Sequence, residues 1–362
     1  IGRLVRELVA ELAREDPQTR YKLFVAGAKS DSLPPVPGSN FQWYPTRVTP
    51  LWFSRLWYRA QVYLPVEFFI GRVKLFHAPD FTLPPTLPGT KTLLTVHDLS
   101  YVRAPETATP FLRRYLDRVV PRSVRRADHV LADSQATKDD LVSLYETTPE
   151  KVTVLLSGVE SRFKRIDSPG ILRQMREKYH IPDHPYIFSI GTVQPRKNYT
   201  RLIEALHLLG DDLSHVNLVI AGGKGWLDAP IYQSVKNLNM SERVHFIGFV
   251  DDEDVPALYS GAILTGYPSL YEGFGFPIVE SMACGTPVLT STVSSMPEVA
   301  GNAAIMVDPY DVNAIAQGLR RLLTEQSLRE TLITDGYQQA AQFTWKKAAR
   351  QLKTIYADML NG

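Results

Sequence analysis

Tyr271-Glu272-Gly273-Phe274-Gly275-Phe276-Pro277-Ile278-Val279-Glu280 is the stretch on which the reading of the fold turns. The apolar run Ala262–Thr265 before it reads as a buried strand, and Ile278–Cys284 after it reads as a helix beginning near Pro277. Proline suits a first helical turn, where its missing N–H has no partner to lose. Gly273 and Gly275 let the turn's backbone approach a ligand, and a helix start offers free N–H groups to an anion. Strand, glycine turn and helix make the repeating unit of a parallel α/β sheet, which binds ligands beyond the carboxyl ends of its strands. Glu272 precedes the helix and Glu280 lies within it, so both carboxylates are expected at one site. Glu280 is placed to accept hydrogen bonds from a ribose. The plainer alternative is a sharp turn with two solvated carboxylates.

Outward from this stretch the same unit repeats. Apolar runs at Ile187–Gly191, Val216–Ala221, Val244–Ile247, Val288–Thr290 and Ala304–Val307 alternate with helical patterns at Tyr199–Leu209 and Asn313–Thr324. Upstream, the runs Tyr21–Ala26, Leu75–Ala78, Thr92–His97, His129–Ser134 and Val152–Leu156 enclose helical stretches at Phe111–Arg126 and Gln135–Tyr145. A chain of 362 residues exceeds what one core supports. Phe163–Pro169 reads as a linker and Asp31–Gly38 as an exposed loop. The expectation is an α/β protein of two Rossmann-like domains, 1–165 and 166–343, followed by a segment 344–362. Leu4, Val5, Leu8, Val9 and Leu12 already show helical spacing, while a doubly wound sheet carries its first strand at the centre. The sequence is therefore read as a fragment lacking that strand.

Two further segments sit at strand ends. Gly191-Thr192-Val193-Gln194-Pro195-Arg196-Lys197-Asn198 follows an apolar run, and Arg196 and Lys197 are suited to a diphosphate, one as a fork and one as a point charge. Ordinary solvated cations are the alternative. Leu93-Leu94-Thr95-Val96-His97-Asp98 places a histidine at another strand end, where a neutral ring could bond a sugar hydroxyl or accept a proton. A lone histidine there also reads as structural.

Composition narrows the class. The chain is 44% hydrophobic and 22% charged with a net charge of +2, an ordinary globular balance with no field for nucleic acid. The single cysteine, Cys284, excludes an internal disulfide and reads as a small core residue in a reducing, cytoplasmic setting. No apolar run reaches the roughly 18 residues of a membrane span. Leu51–Arg59 mixes aromatics with cations, which fits a peripheral contact at the inner face of a membrane, a glycan or lipid-linked acceptor, or a helix packed on the sheet. The basic run Arg113–Arg126 reads as a solvated face. No metal site is expected: Asp252-Glu253-Asp254 reads as helix capping, and Pro182 interrupts the pair His180 and His184.

The segments 191–198, 272–280, Gly285–Val288, Val96–Leu99, Ala132–Thr137 and Met296–Val299 together resemble glycosyltransferase family 4. The resemblance implies the GT-B fold, two Rossmann-like domains facing across a cleft, with the last helix, Trp345–Leu360, crossing back to the N-terminal domain. It implies a retaining, metal-independent hexosyltransferase without a cofactor, whose leaving phosphate takes the acceptor's proton. Carried over by position, Arg196 and Lys197 hold the diphosphate, Glu272 the transferred sugar and Glu280 the ribose. The backbone of Phe274 and Gly275 meets the phosphates, Gly273 belongs to the donor side, and His97 lies near the reacting carbon. Gly191, Thr192, Gly222, Phe249 and Val250 complete the donor side, while Gly2, Asp98 and Ser134 fall on the acceptor side. Two departures stand out: Thr192 replaces an arginine common in relatives, and the family's first glycine-rich loop is absent apart from Gly2. The form of 191–198 favours GDP-mannose, with UDP-sugars as the alternative and a glycan or lipid-linked acceptor. An epimerase, a phosphorylase, a dehydrogenase and a non-catalytic sugar-nucleotide module are the competing readings. No Gly-x-Gly-x-x-Gly follows a strand, which counts against the dehydrogenase.

Overall fold

The computed structural model describes residues 2–362. Every strand pairing among them is parallel. The chain divides into two units. The first takes the residues up to Leu99, then Arg114–Gly158 and Thr344–Gly362; the second takes Ser100–Arg113 and Val159–Phe343. The sequence reading put 100–113 in the first domain and the boundary at 165/166. The structure groups 100–113 with the second unit and puts the boundary at Gly158/Val159. One tie is the Trp226 indole, which donates to the Thr107 carbonyl at 2.7 Å.

In the second unit the strands are β7 (Tyr186–Ile190), β8 (Asn217–Ala221), β9 (Val244–Gly248), β10 (Leu264–Tyr267), β11 (Val288–Ser291) and β12 (Ala304–Val307), after six strands in the first unit. Their order is β12-β11-β10-β7-β8-β9. Chain direction across the sheet reverses between β7 and β10, the switch point at which doubly wound sheets hold ligands. Successive side chains feed opposite cores. Ile187, Leu218 and Ile220 join one with Leu202, Leu206, Ile315 and Leu319, while Phe188, Val219 and Ala221 join the other. Burial on both faces explains why these runs are continuously apolar rather than alternating.

In the first unit β1 (Tyr21–Ala26) pairs with β2 (Phe41–Thr46), and β3 (Leu75–Ala78), β4 (Lys91–Val96), β5 (His129–Ala132) and β6 (Val152–Val154) form a separate four-stranded sheet in that order. The helix Trp345–Asn361 packs on Gly2–Glu15 within this unit. Arg350 pairs with Glu15 at 2.7 Å, and the Tyr356 hydroxyl meets His77 Nδ1 at 2.8 Å. Burial, aided by the charge of His97, holds the His77 pKa down to about 3, so the ring works as a neutral bridge from Tyr356 to Thr95. Gly158 is required where this helix begins, because a Cβ there would lie 2.1 Å from the Trp345 nitrogen. No helix among the described residues is long and apolar enough to cross a membrane.

Candidate functional site

Two loops meet at the switch point of the second unit. The loop after β7 carries Arg196 and Lys197, and the loop after β10 carries Glu272. The Arg196 backbone carbonyl accepts from the Leu270 N–H at 2.9 Å, which ties the loops together. Asn198, left-handed at φ 59°, donates its amide to the carbonyls of Pro268 (2.9 Å) and Pro309 (2.7 Å), fixing the strand-end loops from below.

Side chains then converge. Arg196 donates to Glu272 Oε2 and, at 2.8 Å, to the Tyr271 carbonyl. Lys197 Nζ donates to Glu272 Oε1 at 2.8 Å and to the Tyr267 hydroxyl at 2.7 Å, lying 4.9 Å from the Tyr267 ring centre. Burial alone would raise the Glu272 pKa, but the charges of Arg196 and Lys197 overcome it and hold the carboxyl at about 2. The three groups form a buried cluster with one net positive charge. Gly191 makes room for it: at φ +150°, a Cβ there would sit 2.8 Å from Lys197 Cε.

The Glu272 loop is clamped from the far side. Ser294 Oγ donates to the Glu272 carbonyl at 2.5 Å, and Ser295 Oγ reaches the carbonyls of Glu272 and Phe274 at 2.9 and 2.8 Å. The helix that follows, Phe276–Ala283, starts one residue before Pro277, with Gly275 at its N-cap in the left-handed region. Gly273 is buried. The Phe274 ring is core, edge-on to Phe276 and Phe343, so only its backbone belongs to the site. Glu280 is 3% exposed and accepts from the Tyr259 hydroxyl at 3.1 Å. Gly222 at φ +138° comes so close to Gly191 that a Cβ would lie 2.1 Å from its carbonyl oxygen. Thr192 is exposed at this edge and Val250 half-buried. Phe249, 87% exposed, lays its ring against Gly223, an unhidden aromatic face at the end of β9.

In the first unit, register Val96↔Ala132 places His97 beside Asp133 at the ends of β4 and β5. Asp133 receives His97 Nδ1 at 2.8 Å, and Nε2 donates to the Pro79 carbonyl at 2.9 Å. Both ring nitrogens are therefore donors. Burial opposes a charged ring, but the charge and hydrogen bond of Asp133, with help from Asp80, win and raise the His97 pKa. This corrects the expectation of a neutral His97 with a nitrogen left to accept a proton. Because the folded pKa lies above the usual 6.5, the resulting stability is full below that value and is lost as pH rises through the raised one. Asp133→Asn is expected to lose about 1.5–3 kcal/mol at pH 6 and to abolish this pH dependence. Urea unfolding at pH 6 and at pH 9 checks it; an unchanged pH dependence in the variant would refute the pairing.

Other expectations are revised. Ser134, expected on the acceptor side, is fully buried and caps the helix Gln135–Tyr145 by accepting from the Thr137 N–H at 3.2 Å. Gly2 lies in the first helix, where a Cβ would meet nothing within 4 Å, so no close approach requires glycine. Asp98 is half-buried beside His97. Asp254 occupies an N-cap position but makes no capping bond. Its carboxylate instead takes Lys178 at 2.5 Å and Tyr179 at 2.6 Å. Among the described residues no group of three metal-ligating side chains converges. Cys284 is buried, and burial, with the nearby charge of Glu280, pushes its thiol up to about 12. Sequence reasoning missed the supporting residues Tyr259, Tyr267, Ser294, Ser295 and Asp133.

Comparison with known proteins fits this geometry. The model of Glycosyltransferase Family 4 matches residues 1–163, and that of Glycosyl transferases group 1 matches residues 173–339. The chain is 32% identical to the O-antigen chain mannosyltransferase B of Escherichia coli, over 98% of this chain and 95% of that one. It is 30% identical to the serotype-specific mannosyltransferase WbdA of Escherichia coli over 78% of this chain, and the match spans only 35% of WbdA. The sucrose-phosphate synthase of Thermosynechococcus elongatus shares the fold with a TM-score of 0.77 at 22% identity, over 99% of this chain and 92% of that one.

Proposed function

Because this chain belongs to the group 1 glycosyltransferases and has their GT-B fold of two Rossmann-like units, we propose that it transfers mannose from GDP-mannose to a glycan or lipid-linked acceptor, with retention and without a metal. The observation that carries the proposal is the meeting of Arg196, Lys197 and Glu272 at the switch point between β7 and β10. The mannosyl assignment is supported by two relatives that are named mannosyltransferases.

In the proposed reaction the bond between the sugar's anomeric carbon and the diphosphate oxygen breaks, and its electron pair stays on the oxygen. The acceptor hydroxyl oxygen bonds the same carbon on the same face, and its proton passes to the leaving phosphate. Charge develops on the departing diphosphate, so fixed donors aimed there lower the barrier. Arg196 and Lys197 supply two cations, and the start of the helix Phe276–Ala283 supplies backbone N–H groups. Glu272 holds both cations in place before the diphosphate arrives and is left to bond sugar hydroxyls once they turn to it. Glu280 is assigned to the ribose, exchanging its Tyr259 bond, and the Phe249 face to the base. His97 has both ring nitrogens engaged, by Asp133 and by the Pro79 carbonyl, and is not assigned as a base.

The test is thermal-shift binding of GDP, UDP and ADP, each with and without EDTA, on the wild type and on Glu280→Gln. GDP near a hundredfold over its Kd is expected to raise Tm by about 5–10 °C, unaffected by EDTA and diminished in the variant. A selective shift with UDP would replace the donor by a UDP-sugar, serving a glucosyl- or N-acetylhexosaminyltransferase. A shift abolished by EDTA would overturn the metal-free reading, and no shift with any nucleotide would leave a non-catalytic module.

A further inference from the structure

A cavity of ≈ 370 Å³ lies in the first unit, and none of the site residues described above lines it. Its volume is in the range of small-ligand pockets, about 300–1,000 Å³. One wall is aromatic: Trp57, Tyr58 and Tyr63, from the segment that follows Pro50. The other is cationic: Arg122, Arg125 and Arg126, from the last turns of the helix Pro110–Arg126. No acidic residue lines it.

The walls are chemically distinct because the aromatic polar atoms are spent elsewhere. Trp57 Nε1 donates to the Leu64 carbonyl at 2.8 Å, and the Tyr63 hydroxyl donates to the Thr86 carbonyl at 2.9 Å. These two rings thus present carbon to the cavity. Opposite them, Arg126 is fixed by the carbonyls of Leu83 and Pro84 at 3.0 and 2.9 Å, which leave its charge uncompensated. Among the described residues, neither the Arg122 nor the Arg125 side chain makes a hydrogen bond or ion pair. Three like charges collected against an apolar wall repel one another, a cost that an anion would remove. The rim continues the apolar character outward, since Val62 and Tyr63 are 43% and 64% exposed. Leu51 and Trp52 are exposed on the same segment, with Arg55 stacked 5.1 Å from the Trp52 ring centre. The sequence reading of Arg113–Arg126 as a solvated face agrees with the exposure of Arg122, Arg125 and Arg126, which also line this cavity.

We propose that this cavity binds a phosphate ester carried on an apolar chain, the head of an anionic lipid, with the arginines taking the phosphate and the aromatic wall and rim taking the first carbons. The proposal does not depend on the donor reading, which concerns the other unit. Fork-shaped guanidinium groups match phosphate oxygens, and aromatic side chains favour the boundary between lipid and water.

Flotation with phosphatidylcholine vesicles, with and without phosphatidic acid, tests it on the whole chain. The wild type is expected to float only with the anionic vesicles, and inorganic pyrophosphate is expected to compete. Arg122 and Arg125 are exposed, so the double variant R122Q/R125Q should stay folded. Its vesicle affinity should fall about 25-fold, from two cations each worth about fivefold near an anionic surface. A charge-matched control in the other unit, R173Q/K236Q, should bind as the wild type does. Equal losses in both double variants, or flotation indifferent to phosphatidic acid, would overturn the site. Pyrophosphate binding that is lost in R122Q/R125Q, without any vesicle binding, would overturn the lipid and leave a soluble phosphate as the ligand.

Discussion

Arg196→Ala is expected to lower kcat/KM for transfer by about 10²–10³-fold, the usual loss when one fixed donor to developing charge is removed. The side chain is 18% exposed, and Lys197 holds the other oxygen of the shared Glu272 carboxylate, so the carboxylate keeps one cation when Arg196 is gone. The fold of the second unit should therefore survive, and the loss should fall on the chemistry. Arg196→Lys should recover only part of the rate, because it restores the charge but not the fork that also reaches the Tyr271 carbonyl. Steady-state release of GDP from GDP-mannose in the presence of acceptor measures it. A rate for Arg196→Ala within a few-fold of wild type would remove this residue from the reaction.

Glu272→Ala should behave in the opposite sense, striking stability as well as rate. Its removal strands two cations that are 18% and 11% exposed, and breaking a buried pair by deleting one partner costs about 3–5 kcal/mol. The pH dependence leads to a similar figure. A carboxyl held at about 2 against a reference of 4.5 contributes roughly 3 kcal/mol above pH 4.5, lost as pH falls from there toward 2. Denaturant unfolding of the variant should show the deficit at neutral pH and lack that acid limb. Inorganic pyrophosphate, which meets both stranded cations without a competing carboxylate, should restore part of the stability. A deficit under about 1 kcal/mol would mean that the cluster is solvated rather than buried.

Much of this arrangement was legible in the chain, and what was missed has a common cause. Glu272, Arg196 and Lys197 announce themselves because glycines, a proline and charges stand directly after apolar runs, and a parallel sheet gathers strand ends on one side. Partners supplied from a distant segment leave no such mark. Asp133 is 36 residues from His97, and only the parallel register of β4 and β5 makes them neighbours. That contact raises the pKa of a ring that was expected to be neutral. Tyr267 and Tyr259 read as core aromatics, which they are, and their hydroxyl roles depend on where Lys197 and Glu280 end up. Ser294 and Ser295 are short polar residues in a loop, a type that does many jobs. Among whole elements, β2 escaped notice because Gln42 and Pro45 break its apolar pattern. The helix Gln326–Ala340 escaped because its buried positions are only Leu332, Gly336 and Ala340.

The helix Trp345–Asn361 belongs to the first unit, although the whole Val159–Phe343 segment of the second is translated before it. During synthesis the first unit must therefore wait for its closing piece while 185 residues (159 through 343) emerge. At about 5–20 residues per second that delay is on the order of ten to forty seconds. Through it, the buried side chains Trp345, Ala348, Ala349 and Leu352 are not yet available to cover their partners, including the helix Gly2–Glu15. The nascent first unit is thus an obvious client for a chaperone, and the second unit is the one able to complete its core first.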